Sequence, residues 1–304
     1  MNLTTIIRPI FSPRLRDLDR YSTQAQQLQL NVLKKLLSKA SDTQWGHQHA
    51  YSNTLSYEQF AHQTPVNTYE DLKGYIDEMR QGKADLLWPG KVKWYAKSSG
   101  TTNDKSKFIP VSKDGLHDIH YAGGTDCVTW YLRNNPKSKL FDGKALILGG
   151  SHAPNYNQKN SLVGDLSAIL IENINPLVNL VRTPQKKTAL LSDFEIKRTR
   201  IAQEAIKKNV TNLSGVPSWM MSVLNCVLEI SGANNICEVW PNLEVFFHGG
   251  VAFSPYREQY QHLIPSEGMH YMETYNASEG FFGLQDDPTD TAMSLMIDYR
   301  IFYE

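Results

Sequence analysis

The segment YAKSSGTTNDKSKFIPVS, residues 95–112, concentrates hydroxyl side chains around one glycine. The residues concerned are Ser98, Ser99, Gly100, Thr101 and Thr102. Hydroxyl groups donate hydrogen bonds to phosphate oxygens, and a glycine lets backbone N–H groups approach them closely. Lys105 adds a positive charge, although the G-x-x-x-x-G-K-[ST] pattern of a Walker A loop is absent. The segment predicts either a phosphate-binding loop or a solvated hairpin loop, and composition alone leaves both open.

The segment TYNASEG, residues 274–280, places an aromatic residue, a small polar run, a carboxylate and a glycine after a strand pattern. In a nucleotide site Tyr275 would stack on a base and Ser278 would contact a phosphate. Glu279 would bind a Mg²⁺ ion carried by a polyphosphate. The other interpretation is a strand end with a solvated glutamate, and the short motif by itself favours it.

A third segment, FFHGGVAFSP, places Gly249 and Gly250 at the end of a strand pattern. Ligands bind at the carboxyl ends of strands in open α/β sheets, so the glycines are candidates for the wall of a nucleotide pocket. An ordinary strand-to-helix turn explains them equally well. His248 is more typical of a buried histidine than of a catalytic base.

A fourth segment, SGVPSWMMSVL, opens an apolar helix directly after a strand. Its strand-to-helix turn is a candidate wall for an organic acid, with Gly215, Val216, Trp219 and Val223 as the predicted acyl-pocket residues. Core packing is the competing explanation, because apolar stripes at helical spacing usually face the core.

The elements that must position these residues alternate between helix and strand patterns, which predicts an α/β fold with a largely parallel sheet. Capping boxes are predicted at Thr23 with Gln26 and at Ser192 with Glu195, the second opening a helix that reaches about Lys208. A further helix is predicted to start at Thr68. The final segment, AMSLMIDYRIFYE, is predicted to be a strand or hairpin arm that the chain end cuts short.

Composition excludes several classes of protein. The 304 residues contain 31 Lys+Arg and 31 Asp+Glu, and the scattered basic residues argue against a nucleic-acid partner. The three cysteines, Cys127, Cys226 and Cys237, are too few and too far apart for a disulfide framework or a zinc ribbon. No stretch has the apolar length of a membrane span, and the N-terminus lacks a signal-peptide pattern. We therefore expect no membrane partner and a cytoplasmic location.

Taken together, the segments SSGTTNDKSKFIPVS, SGVPSWMMSVL, HGGVAF, YNASEGFFGLQ and MSLMIDYRIFYE resemble the adenylate-forming enzymes. That superfamily contains acyl-CoA synthetases, luciferases and peptide-synthetase adenylation domains. Within it the chain looks most like the Gretchen Hagen, or auxin-responsive, acyl-acid amido synthetases, in a bacterial form. The resemblance extends over nearly the whole chain.

The resemblance implies a two-step ligation. The carboxylate of an acid attacks the α-phosphorus of ATP, and an amine, usually of an amino acid, then displaces AMP. It implies that residues 98–102 contact the ATP phosphates, that Thr102 and Glu279 hold Mg²⁺, and that Tyr275 stacks on the adenine. Ser278 would contact the α-phosphate, and Gly249 and Gly250 would line the adenine pocket.

The implied fold is the N-terminal adenylating domain of the acyl-CoA synthetase/luciferase type, with mixed sheets flanked by helices. Residues 1–304 would form that domain incompletely, without the ribose-binding Asp and the small C-terminal domain. Asn103, Asp104, Lys105 and Ser106 depart from the usual Gly-x-Pro-Lys continuation, which leaves a catalytic role for Lys105 open. The alternatives are an acyl-CoA ligase of the same superfamily and a non-catalytic binding protein.

Overall fold

A computed structural model of the chain describes residues 3–98, 106–287 and 289–304. The α-helices are α1 (Leu3–Ile7), α2 (Ser12–Leu18), α3 (Tyr21–Ala40), α4 (Gln44–Gln48), α5 (Tyr57–Gln63), α6 (Tyr69–Arg80), α7 (Lys113–Gly115), α8 (Ala122–Asn134), α9 (Leu166–Asn173), α10 (Lys186–Ala189), α11 (Phe194–Ala205), α12 (Pro217–Ser231), α13 (Ile236–Val239) and α14 (Arg257–Leu263). The strands are β1 (Trp94–Ser98), β2 (Lys107–Val111), β3 (Lys144–Ile147), β4 (Leu162–Gly164), β5 (Arg182–Thr183), β6 (Val210–Gly215), β7 (Val245–Gly249), β8 (His270–Ala277), β9 (Gly280–Leu284) and β10 (Ser294–Leu295).

Within the described residues the strands form two sheets. The larger has seven strands in the order β10-β9-β8-β7-β6-β3-β5, and the smaller has the order β2-β1-β4. Neighbours from β5 through β8 run parallel, whereas β9 and β10 add antiparallel strands at one edge. This confirms the predicted α/β class with mixed sheets. The carboxyl ends of β3, β6, β7 and β8 consequently meet along one edge of the larger sheet.

Alternating residues of the central strands supply two cores, one on each face of the larger sheet. Phe246 faces α11, α12 and α14, where it packs in one buried cluster with Met220 and Tyr260. Val245 and Phe247 face the opposite side and pack in a second cluster that includes Tyr131 of α8. The period of two along β7 is therefore what fixes both helical layers to the sheet.

Two predicted helix starts are wrong. Helix α3 begins at Tyr21 and is kinked at Gln24 (φ −129°, ψ 19°). The Thr23 hydroxyl lies 3.5 Å from the Arg20 carbonyl oxygen and does not cap the helix. Helix α11 is capped by Asp193, whose Oδ1 accepts from the Ile196 N–H at 2.9 Å, so the neighbouring Ser192 is not the cap. That helix ends at Ala205, short of the predicted end, because β6 begins only a few residues later. The predicted start at Thr68 is confirmed by its contact with Asp71.

The predicted strand or hairpin arm is confirmed only at Ser294–Leu295, which pairs antiparallel with β9, and the rest of the final segment is irregular. Side chains of the N-terminal helices form hydrogen bonds with this segment, instead of the backbone hydrogen bonds of a neighbouring strand. Gln29 of α3 donates to the carbonyls of Ile297 and Ile301 and accepts from the Tyr303 N–H at 2.8 Å. Its amide thus satisfies backbone groups that a neighbouring strand would otherwise satisfy.

A second connection joins the same regions through charge. Arg14 of α2 donates to Asp126 of α8 and to Asp298 of the final segment, and the Tyr21 and Tyr299 hydroxyls donate to these carboxylates. We call these five residues the Arg14 cluster. Asp126 is 2% exposed and Arg14 23% exposed, so the cluster is largely shielded from water. In the parts of the chain that the structure describes, no helix is long and apolar enough to span a bilayer.

Candidate active site

The glycines at the carboxyl ends of β6 and β7 allow neighbouring strands to approach closely. A Cβ on Gly249 would lie 2.4 Å from the Thr274 carbonyl oxygen of β8, so only glycine fits there. Gly250 has φ +85° and lies beside Val216, whose Cγ2 would be 3.3 Å from an added Cβ. The structure thus brings Val216, Gly249 and Gly250 together at one sheet edge, and Gly215 lies there against Leu148.

The β8–β9 hairpin carries the second predicted motif to the same edge. Gly249 pairs with Thr274, so Tyr275 is the next residue along β8. Ala277 pairs with Gly280, which leaves Ser278 and Glu279 as the two residues of the turn. Tyr275 is 59% exposed, and its ring lies tilted at 5.3 Å from the Phe282 ring. An exposed ring beside a glycine-lined edge has a free face on which a planar base can stack.

His248 is buried beneath this edge, as the sequence indicates. It is 2% exposed and stacks on Phe253 with ring centroids 4.1 Å apart. Its Nδ1 has no hydrogen-bond partner among the described residues. Burial, helped by the positive charge of Arg257, lowers the pKa of His248 to about 3. The imidazole is therefore neutral near pH 7.

The first predicted motif lies mainly outside the described residues. Ser98 is the last residue of β1 and pairs with Lys107 of β2. The predictions for Ser99, Gly100, Thr101, Thr102 and Lys105 all fall on residues 99–105, which the structure does not describe. A bridge between His152 and Gly164 ties the same small sheet to the chain that follows β3.

A cavity of about 360 Å³ lies between α11 and α12, beside the carboxyl end of β3. Of the four predicted acyl-pocket residues, Trp219 and Val223 line it, while Gly215 and Val216 lie at the neighbouring strand end. Trp219 is 43% exposed, so core packing is wrong for this residue, whereas Met220 and Val223 are buried. The Phe194 ring lies 6.1 Å from the Trp219 ring and also lines the cavity.

Lys197 is a residue of this cavity that the sequence analysis missed. It is 5% exposed, and its Nζ donates to the carbonyls of Gly149 at 2.6 Å and Gly150 at 2.8 Å. Burial lowers the pKa of Lys197, and nearby Asp165 opposes this effect. The lysine therefore fixes the glycine turn that follows β3. The signal in the sequence was the i, i+4 spacing of Lys197 and Ile201, which places the lysine on the buried face of α11.

Arg198 is the second residue that the sequence analysis missed. Its Nη2 donates to Glu195 at 2.7 Å, and its Nη1 lies 3.5 Å from the Ser222 hydroxyl. Its Nε is buried and has no partner among the described residues. The guanidinium is therefore held by Glu195 of its own helix and by Ser222 of α12.

The described residues contain no group of three or more His, Cys, Asp and Glu side chains that could hold a metal ion. Magnesium nevertheless fits the donors present, because Mg²⁺ is usually bound by one or two carboxylates together with substrate phosphates and water. Glu279, exposed in a turn at the glycine-lined edge, is suited to a metal that arrives with a polyphosphate.

Residues 14–269 match the sequence model of the GH3 family N-terminal domain. The chain belongs to the GH3 family. It is 29% identical over 104 residues to the indole-3-acetic acid-amido synthetase GH3.6 of Arabidopsis thaliana, covering 34% of this chain and 17% of that protein. It is 19% identical over 330 residues to the synthetase GH3.4 of the same plant, covering 90% of this chain and 55% of that protein. The chain therefore spans about half the length of the latter relative.

Solved structures show the same fold. The AtGH3.15 acyl acid amido synthetase in complex with 2,4-DB superposes with a TM-score of 0.76 at 17% identity, covering 93% of this chain and 59% of that one. A 2-hydroxyisobutyryl-CoA ligase in complex with 2-HIB-AMP and CoA has a TM-score of 0.50 at 12% identity, covering 85% of this chain and 50% of that one. The predicted relation to adenylate-forming folds is confirmed.

Proposed function

We propose that the chain activates a carboxylic acid with ATP as an acyl-adenylate and transfers the acyl group to an amine, in particular the amine of an amino acid. The observation that carries the proposal is the arrangement at one sheet edge. The glycine-lined end of β7 and exposed Tyr275 suit a nucleotide, and the aromatic cavity between α11 and α12 opens beside them. Family membership supports the same reaction class.

In the first step a carboxylate oxygen forms a bond to the α-phosphorus, and the bond between that phosphorus and the bridging oxygen breaks, releasing pyrophosphate. In the second step the amine nitrogen bonds to the acyl carbon, AMP leaves, and the nitrogen loses a proton to solvent. The main barrier in the first step is repulsion between an anion and a polyanion. Preorganised donors lower it because they are already oriented toward the developing charge.

We assign Tyr275 to adenine stacking, Ser278 to the α-phosphate, and Gly249 and Gly250 to the adenine pocket. Residues 98–102 would contact the phosphates, and Lys105 remains a candidate for added positive charge there. Glu279, with Thr102, would bind Mg²⁺. When bound, the metal neutralises phosphate charge and orients the phosphates.

For the acid we assign the strand end at Gly215 and Val216 and the cavity walls at Trp219 and Val223. Val216 lies against Gly250, so the acid and nucleotide positions adjoin. This contact supports the assignment, because the reacting carboxylate must reach the α-phosphorus.

The finer classification also belongs to this proposal. We infer a bacterial member of the family from the resemblance of its sequence motifs. We infer that residues 1–304 belong to an N-terminal adenylation domain, which the family model matched by residues 14–269 supports. Free Cys127, Cys226 and Cys237 support a reducing compartment such as the cytoplasm.

Calorimetry with the purified chain tests the nucleotide site. We expect ATP to bind with Mg²⁺, and Thr101→Ala to weaken binding about tenfold, since a charge-assisted hydrogen bond contributes about 1.5–3 kcal/mol. Equal affinity in the two proteins would remove residues 98–102 from the site.

An acceptor screen tests the second step. The chain, ATP and a panel of aromatic and aliphatic acids are incubated with mixed amino acids or with coenzyme A, and amide and thioester products are measured. Amide formation supports the proposal, and thioester formation alone would identify an acyl-CoA ligase instead.

A further inference from the structure

A second cavity, of about 480 Å³, lies between α14 and the start of β8, and we call it the α14 cavity. Arg257, in the first turn of α14, lines it together with Gln261 one turn later, and so do Ser266 and Glu267, which follow the helix. At about 1.5 Å per residue, the helix between these groups is about 10 Å long. Arg257 and the Ser266–Glu267 turn therefore lie toward opposite ends of the cavity. The α14 cavity shares no lining residue with the cavity between α11 and α12.

The guanidinium of Arg257 forms no ion pair and no hydrogen bond with any residue that the structure describes. The side chain is exposed, and its guanidinium carbon lies 5.2 Å from the centre of the Phe253 ring. A guanidinium over an aromatic ring keeps the N–H groups of its edge available, and their spacing matches the two oxygens of a carboxylate. Arg257 is therefore an accessible cation in the wall of the α14 cavity.

Arg257 lies close to the edge of the sheet where we propose that the reaction occurs. Helix α14 follows the glycine-lined end of β7, so its first turn lies near the carboxyl edge of the sheet. The Phe253 ring that contacts the guanidinium also stacks on His248, the residue before Gly249, with ring centroids 4.1 Å apart. Burial lowers the pKa of His248, and the charge of Arg257 lowers it further, which agrees with this short separation.

The floor of the α14 cavity belongs to the same face of β8 as the ring that we assign to adenine stacking. Tyr271 lines the cavity, and successive side chains of a strand point to opposite faces of the sheet. Tyr275 follows Tyr271 by four residues along β8, so the two side chains lie on one face. An occupant of the cavity would consequently lie beside a nucleotide that stacks on Tyr275.

On the basis of the proposed function, we propose that the α14 cavity binds the acceptor amino acid, with its α-carboxylate on Arg257 and a polar side chain toward Ser266 and Glu267. The carboxylate takes no part in bond formation, so its ion pair with Arg257 persists throughout the transfer. The amine, which is attached to the neighbouring carbon, then lies near the carboxyl edge where the acyl-adenylate forms. Gln261, Ser266 and Glu267 are exposed in the cavity wall and can form hydrogen bonds with a polar side chain.

Direct binding to the chain, without nucleotide, tests this assignment. Calorimetry compares L-glutamine with L-glutaminamide, which lacks the carboxylate, and with L-leucine, which lacks the polar side chain. We expect glutamine to bind about tenfold more tightly than glutaminamide, because glutaminamide cannot form the charge-assisted hydrogen bond to Arg257. Arg257→Met should abolish that ratio and keep the preference for glutamine over leucine. The matched control is Arg200→Met, because Arg200 is exposed on α11 and does not line the α14 cavity.

Each ratio compares two ligands on one protein, so a partly unfolded variant remains informative. Equal affinity for glutamine and glutaminamide in the wild type, or a ratio that Arg257→Met leaves unchanged, would overturn the proposal. Leucine binding as tight as that of glutamine would also overturn it, because the polar wall would then contact no ligand. Absence of glutamine binding overturns this inference alone, whereas absence of ATP binding by the same chain removes the proposed function on which it rests.

Discussion

At the strand edge, packing determines the residue type at one position and ligand binding determines it at another. Gly249 is required by packing, because the β8 backbone lies where a side chain would begin. Glu279 is exposed in a turn, so packing places little demand on its type. Substitutions at the first position should therefore report on stability, and substitutions at the second should report on ligand binding.

For Glu279→Gln we expect Mg²⁺ to lose most of its effect on ATP affinity, a change of about tenfold, because the amide removes the charge that the metal needs. The free energy of unfolding should change by less than about 0.5 kcal/mol, as for other exposed positions. Calorimetry with and without Mg²⁺ and a thermal melt measure the two quantities. Glu258→Gln, another exposed acidic residue, is the control. A large fall in the melting temperature of Glu279→Gln would show that Glu279 has a structural role.

For Gly249→Ala we expect a loss of about 1–3 kcal/mol in the free energy of unfolding, since the added methyl group meets a backbone carbonyl that cannot rotate away. Gly74→Ala is the matched control. Gly74 lies within α6 with no atom within 4 Å of an added Cβ, so its replacement should stabilise the chain by about 0.5–1 kcal/mol. Urea denaturation measures both. An unchanged Gly249→Ala variant would show that β7 and β8 separate easily.

At the scale of elements, the Arg14 cluster joins α2, α8 and the final segment. We expect Arg14→Met to lower the free energy of unfolding by about 3–5 kcal/mol, because it leaves buried Asp126 without its counter-ion. Arg133→Met removes an exposed pair with Asp19 and should cost at most about 1 kcal/mol. Similar losses in both variants, measured by urea denaturation, would contradict a structural role for the cluster.

Burial raises the pKa of Asp126, and Arg14 opposes that rise. Without Arg14 the folded-state pKa should rise further. A carboxyl group whose pKa is higher in the folded state than in the unfolded state destabilises the fold at high pH, where the group is ionised. The Arg14→Met variant should therefore recover part of its stability relative to wild type as the pH falls.

The sequence predicted the strands better than the helix ends or the cavity. The apolar run before Gly249 and Gly250 identifies β7 because it is bounded by glycines, and Pro217 at the start of α12 acts as a local signal. The sequence predicted α11 as a charged helix but not that Lys197 and Arg198 line a cavity. Their placement depends on α12 and on the turn that follows β3, both of which are distant from α11 in sequence. Local patterns carry no information about such tertiary contacts.

At the scale of the whole molecule, two buried histidines make stability depend on pH. Burial lowers the pKa of His120 to about 4 and, with Arg257, that of His248 to about 3. Below about pH 6.5 the unfolded chain binds protons at these residues while the folded chain does not. The free energy of unfolding should therefore fall as the pH drops from 6.5 toward 4 and 3.

At pH 5 the expected loss is about 2 kcal/mol for each histidine relative to pH 7, at about 1.4 kcal/mol per pKa unit. His248→Phe keeps a ring against Phe253 and should lose about half as much between these two pH values. His262→Gln removes an exposed imidazole and serves as the control. Urea denaturation at pH 7 and pH 5 measures the difference. If the free energy of unfolding of His248→Phe falls between pH 7 and pH 5 as much as that of the wild type, groups other than His248 cause the pH dependence.

The Arg14 cluster can form only late in translation. Arg14 and Asp298 are separated by 284 residues, so the ion pair cannot form until nearly all of the described chain has left the ribosome. At about 5–20 residues per second, the helix that carries Arg14 waits roughly 15–60 s for its partner. During translation the apolar side chains of α2 and the start of α3 lack the final segment that later covers them. We therefore expect this stretch of the nascent chain to stay accessible to a chaperone or a protease until the final segment has been synthesised.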